Sequence, residues 1–81
     1  MENLDLTFDH AIAVNLKRLR TAGGFTLDGL AEASGVSRAM ISRIERAEAS
    51  PSALILAKLC AALGTTLSAF FADADRPVDP L

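Results

Sequence analysis

Residues 26–45, TLDGLAEASGVSRAMISRIE, constrain this chain more than any other stretch. Thr26 stands just before a short run in which Leu27, Leu30 and Ala31 face one way. A hydroxyl there accepts a hydrogen bond from a free amide of the first turn, so Thr26 caps a helix. Gly35 ends that helix, because the turn calls for a positive φ that is costly for other residues. Ser37 then caps a second helix. Met40, Ile41 and Ile44 take its inner side, while Arg38, Ala39, Ser42 and Arg43 take its outer side. The spacing predicts two short helices around a tight turn, the second presented outward. A short helix with long hydrogen-bonding cations on its open face suits the base edges of a DNA major groove.

The rest of the chain supplies helices to pack against this pair. Phe8, Ile12, Leu16 and Leu19 recur at helical spacing, which predicts a first helix over residues 8–22, ended by Gly23-Gly24. The second helix covers residues 27–33 and the third residues 38–46. Ser50-Pro51 is read as the opening of a fourth helix, Ser as its cap and Pro in its first position. That helix runs to Leu63 and stops at Gly64. Thr65 or Thr66 caps a short fifth helix over residues 67–72. Residues 1–7 read as a loose tail. Residues 73–81, DADRPVDPL, lack any period and read as disordered or as the start of a linker.

At 81 residues the chain is one small domain, too short for a core plus a large enclosed substrate cavity. Its apolar content is 51% with four Phe and no Trp or Tyr, so Ala and Leu carry the core. That favours helices over sheets. No apolar run reaches the roughly 20 residues of a membrane span, and the acidic N-terminus shows no signal peptide. Cys60, the one cysteine, cannot form an internal disulfide, which points to a reducing cytoplasm.

The net charge of −2 is unevenly spread. Between Val14 and Arg46, six cations (Lys17, Arg18, Arg20, Arg38, Arg43, Arg46) outnumber three anions (Asp28, Glu32, Glu45). Both flanks are acidic. A local positive region inside an acidic chain fits a footprint on phosphate.

These residues together resemble the Cro and phage-repressor type of helix-turn-helix domain, the XRE family. The carriers are LKRLR (16–20), FTLDGLAEASGVSRAMISRIER (25–46), Pro51, Leu56, Leu59, Leu63-Gly64 and LSAFF (67–71). The resemblance implies an all-α, compact five-helix bundle over residues 8–72 that binds double-stranded operator DNA, usually as a homodimer on a palindrome. Separately, the short length and the lack of catalytic or ligand-spaced residues predict no cofactor, no metal and no enzymatic activity. Carried over by position, Arg38, Ala39 and Arg43 match base-contacting slots, and Ser42 lies near the same face. Thr26 and Ser37 match slots near phosphate, and Arg46 and the amides opening the fourth helix (Ser52, Ala53) are further phosphate candidates. Arg20 matches a position that often pairs with the glutamate late in the third helix, here Glu45; that structural pairing is preferred over a phosphate contact.

Three positions depart from the family's habit. Leu27 stands where Gln is common, Ala47 where Gly is common after the third helix, and Glu48 where the following loop is often cationic. If residue 47 is left-handed, its side chain costs about 1–2 kcal/mol. The run SRAMISRIER followed by Ala-Ser-Pro also resembles the subgroup in which this domain precedes a cupin-type sensor domain; a short complete protein is the alternative.

Other residues have plainer readings. Lys17 and Arg18 read as solvated charges, Cys60 as a small core residue, and Met40 and the phenylalanines as core. His10 has no partner at ligand spacing. No nucleophile–base set, zinc spacing or phosphate loop occurs. Leu54 and Ile55 widen the apolar arc of the fourth helix. One of the two, with the fifth helix and Val78 and Leu81, suggests a surface for a second copy or another domain. A protein-interaction module using the helix 4–5 surface is therefore the alternative to a DNA-binding regulator.

Overall fold

The structure, a computed structural model, describes residues 4–75, with side chains from residue 8 to residue 72. The expectations for residues 1–3 and for the tail containing Val78 and Leu81 lie outside the described residues. Within them are five helices and no strand: α1 (Leu4–Ala22), α2 (Leu27–Ser34), α3 (Arg38–Glu45), α4 (Ala53–Leu63) and α5 (Leu67–Asp75).

The principal contacts link α1 to α3, α3 to α2, α2 to α4, α4 to α5 and α5 back to α1. The helices thus close a ring around one core. Leu16, Leu30, Ile41, Ile44, Leu59 and Phe70 have no exposed surface and sit at its centre. Burying such a side chain stabilises the fold by about 1.5–3 kcal/mol each, so these six fix how the helices meet. Ile41 and Ile44 hold the inner side of α3. Their burial decides which side of α3 is left outward.

Helix starts follow the hydroxyl residues. Thr26, Ser37, Ser52 and Thr66 each accept a hydrogen bond from the amide three residues on, at 2.9–3.1 Å. Thr66, not Thr65, is therefore the cap of α5. The cap of α4 is Ser52, not Ser50, and α4 begins at Ala53 with Pro51 outside it. The Ser50 hydroxyl makes a long-range contact, donating to the Asp9 carboxylate on α1 at 2.6 Å.

Two further boundaries move. The first helix begins at Leu4, four residues before the apolar stripe begins at Phe8. Once a helix is nucleated, adding turns is cheap and needs no buried face. The fifth helix continues to Asp75. Phe8 is 43% exposed and stacks on Phe71 at 5.7 Å between ring centroids, so it closes the edge of the α1–α5 seam and is not part of the inner core.

The end of α3 carries the strain foreseen at residue 47. Ala47 has φ 58°. Its amide bonds the Ile44 carbonyl and the Glu48 amide bonds the Arg43 carbonyl, at 3.0 and 2.8 Å. The end of α4 makes the same pair of bonds around Gly64 at φ 76°. A left-handed residue is needed at both ends, and only one has the residue that adopts it freely.

Candidate nucleic-acid interface

The site is built on α3. This helix contacts α1 and α2 with the side that carries Ile41 and Ile44, and its remaining side faces solvent. Arg38, Ala39, Ser42, Arg43 and Arg46 line one shallow open concavity there, of about 460 Å³. Their spacing puts them on successive turns of one face. Arg38, Ala39, Arg43 and Arg46 are exposed and Ser42 is half-buried.

Two arginines stand ready on this face. The Arg43 guanidinium makes no hydrogen bond or ion pair among the described residues; only its field reaches Glu48. Arg38 approaches Asp28 of α2 at 3.4 Å, with both side chains mostly exposed. Such a pair contributes about 0–1 kcal/mol. It is too weak to hold Arg38 against a competing hydrogen-bond acceptor.

Arg46 is engaged more fully. Its Nε and Nη2 donate to the two carboxylate oxygens of Glu48, both at 3.1 Å. Its Nη1 donates to the Ser42 hydroxyl. These hydrogen bonds hold the Glu48 carboxyl below the usual carboxylate range. Two residues expected to meet DNA, Ser42 and Arg46, are therefore tied to one another and to an anion.

The helix starts supply further donors. Capping uses the oxygen of Thr26, Ser37 and Ser52 as an acceptor and leaves each hydroxyl proton available. The first amides of α2, α3 and α4 have no partner within their own helix. A helix N-terminus of this kind attracts an anion. Thr26, Ser37 and Ser52 are exposed, and all three stand outside the concavity, at the N-termini of α2, α3 and α4.

Beneath the face, Arg20 of α1 clasps the end of α3. Its Nε and Nη2 donate to Glu45 at 2.7 and 3.0 Å, and its Nη1 donates to the Phe25 carbonyl at 2.9 Å. Both side chains are nearly buried, at 11% and 7% exposure. The Glu45 hydrogen bonds raise the Arg20 pKa. This clasp fixes the angle at which α3 is held and keeps Arg20 away from any ligand.

Several contacts escaped the sequence reading. Asn15 is buried, and its Nδ2 donates to the Phe70 carbonyl across 55 residues of chain, at 3.2 Å. The signal was present: Asn15 falls three residues after Ile12 and four before Leu19, on the buried stripe. The same Asn15 accepts from Arg18, so that cation is tied in place. The Asp28–Arg38 and Arg46–Glu48 contacts cross a turn or a helix end, where helical periodicity says nothing. Leu54 is 65% exposed while Ile55 packs on the core, so only one of the two widens the outer apolar surface.

No helix among the described residues is long and apolar enough to cross a membrane. Nor do the described residues hold a cluster of His, Cys, Asp or Glu suited to a metal ion.

Residues 16–70 match the helix-turn-helix family HTH_3. The HTH-type transcriptional regulator SutR of Escherichia coli is 43% identical over 70 residues, which are 86% of this chain and 37% of SutR. The HTH-type transcriptional regulator PuuR of the same organism is 35% identical over 65 residues, or 80% of this chain and 35% of PuuR. The chain thus spans little more than a third of the curated relatives it matches. Among solved structures, an HTH_3 family transcriptional regulator from Vibrio cholerae superposes with a TM-score of 0.80 at 45% identity, covering 85% of this chain and 39% of that one. The clp gene regulator ClgR from Corynebacterium glutamicum superposes at 0.79 and 35% identity, over 84% and 72% of the two chains. Fold, motif and relatives agree: this chain belongs to the HTH_3 (XRE-type) helix-turn-helix family of transcriptional regulators.

Proposed function

We propose that this chain is the DNA-binding part of a sequence-specific transcriptional regulator. The observation that carries this reading is the outer face of α3, where Arg43 has no partner among the described residues and Arg38 is only loosely paired. In a major groove, Arg38 and Arg43 donate in pairs to guanine O6 and N7, each good pair contributing about 1–3 kcal/mol of discrimination. Ala39 offers a methyl group to a thymine methyl, and Ser42 a hydroxyl. Thr26, Ser37, Ser52 and Arg46 fix the register on phosphate. Two copies occupy the half-sites of a palindrome, centred about 10–10.5 bp or a multiple apart.

Salt dependence tests the reading. Binding to duplex DNA weakens linearly in log[salt], with a slope of about −0.9 per phosphate neutralised. A second reading draws on the exposure of Leu54: a protein-interaction module that uses the helix 4–5 surface. Partner binding through an apolar patch is nearly indifferent to salt. A flat salt response, or no binding to any duplex, overturns the DNA reading. Sedimentation with and without duplex measures whether two copies assemble.

A further inference from the structure

We propose that Glu48 restrains Arg46 and so limits this domain's grip on DNA phosphate. The inference rests on the DNA-binding reading and adds to it a residue that sets affinity from just outside the recognition helix.

Each of the three guanidinium nitrogens of Arg46 makes one hydrogen bond within the chain, and the Nε/Nη2 edge is fully committed to Glu48. Two donate to the Glu48 carboxylate and the third to Ser42. The pairing is two-pronged, the geometry that a phosphate would also use. Phosphate and Glu48 therefore compete for the same donors.

The backbone builds this competition in. Residues two apart on a helix do not face one another. Here Ala47, at φ 58°, reverses the chain between them. The Ala47 and Glu48 amides close back on the Ile44 and Arg43 carbonyls, which folds Glu48 against the end of α3. The pair is exposed, with side chains at 56% and 54%. An exposed pair opens readily, so Glu48 acts as a restraint and not as a lock. When Arg46 turns toward phosphate, the carboxylate it leaves stays nearby and repels the same phosphate. The restraint also reaches the base-facing surface, because Arg46 holds the Ser42 hydroxyl while it holds Glu48.

Phosphate contacts carry no sequence information, so a duplex of random sequence is a sufficient probe. The whole chain is titrated with such a duplex over a range of salt, as the parent, Glu48→Gln, Glu48→Ala, Arg46→Ala and the two double variants. All substituted side chains are exposed, and thermal unfolding checks that each variant folds as the parent does. Removing the carboxylate is expected to tighten binding about threefold and to steepen the salt slope by about 0.9, the signature of one further phosphate neutralised. In the Arg46→Ala background the same change is expected to have little effect. Equal tightening with and without Arg46 overturns the proposal and leaves Glu48 as one more negative charge. Unchanged binding in both Glu48 variants overturns it as well, while salt-dependent binding by the parent keeps the DNA reading intact. If neither the parent nor the Glu48 variants bind any duplex, the DNA reading itself falls, and this inference falls with it.

Discussion

Arg20 and Arg43 carry the same side chain and lie on helices packed against each other, yet they meet opposite fates. Arg20 points inward and spends its donors on Glu45 and the Phe25 carbonyl. Arg43 points outward and bonds nothing among the described residues. The difference lies in the sides of the helices they occupy. Arg20 follows the buried stripe of α1, so its charge has to be matched by a carboxylate and a carbonyl. Arg43 lies opposite the face that buries Ile41 and Ile44, where its charge is exposed to solvent and needs no protein partner. One arginine holds α3 in place and the other is held out by it.

The comparison breaks most visibly at the clasp. Arg20→Ala leaves Glu45 nearly buried without a partner, and the expected loss is about 3 kcal/mol in denaturant unfolding. Arg20→Lys is expected to recover only part of this, since an ammonium cannot donate in the two-pronged way. Stability close to the parent in Arg20→Ala would show that the clasp is not structural.

A second blow falls on the buried amide. Asn15→Ala leaves the Phe70 carbonyl without its donor in the core. The expected cost is about 1–2 kcal/mol, measured by the same unfolding experiment. Binding by the variant that remains folded is expected to be unchanged, because the hydrogen bonds of Asn15 go to Phe70 and Arg18 and not to α3.

Ala47→Gly sharpens the contrast from the other direction. It removes strain at φ 58° and is expected to raise stability by about 1 kcal/mol, read as a higher denaturant midpoint. A lower midpoint would show that the strain is not there to relieve. Smallest of all is Asp28→Asn, which cuts the loose pair to Arg38. Stability should shift by less than about 0.5 kcal/mol. A larger loss would mean that Arg38 is held as firmly as Arg20.

The outline of this molecule could be seen in its residues, and the gaps have physical reasons. Thr26, Gly35 and Ser37 act locally, so the turn and the two helices around it follow from nearest neighbours. The inner side of α3 was visible in the spacing of Met40, Ile41 and Ile44. The need for a left-handed residue at position 47 was visible in what usually stands there. The cap of α4 was not. Ser50 and Ser52 are the same residue type and stand two residues apart; Ser52 caps the helix while Ser50 reaches Asp9, 41 residues away. Nor was the partner of Arg46 visible. Glu48 reaches it only because the chain reverses at Ala47, and periodicity describes helices, not their ends. The candidate site was thus legible in which residues face outward, and illegible in which of them are already engaged.

The most direct test of the account is base discrimination by Arg43. A preferred duplex is selected from a random pool with the parent chain, and each base pair is then changed in turn. Arg43→Ala is expected to lose about 1–3 kcal/mol of preference at one or two base pairs and to keep the parent's stability. Unchanged discrimination at every base pair would contradict the claim that the outward side of α3 reads DNA.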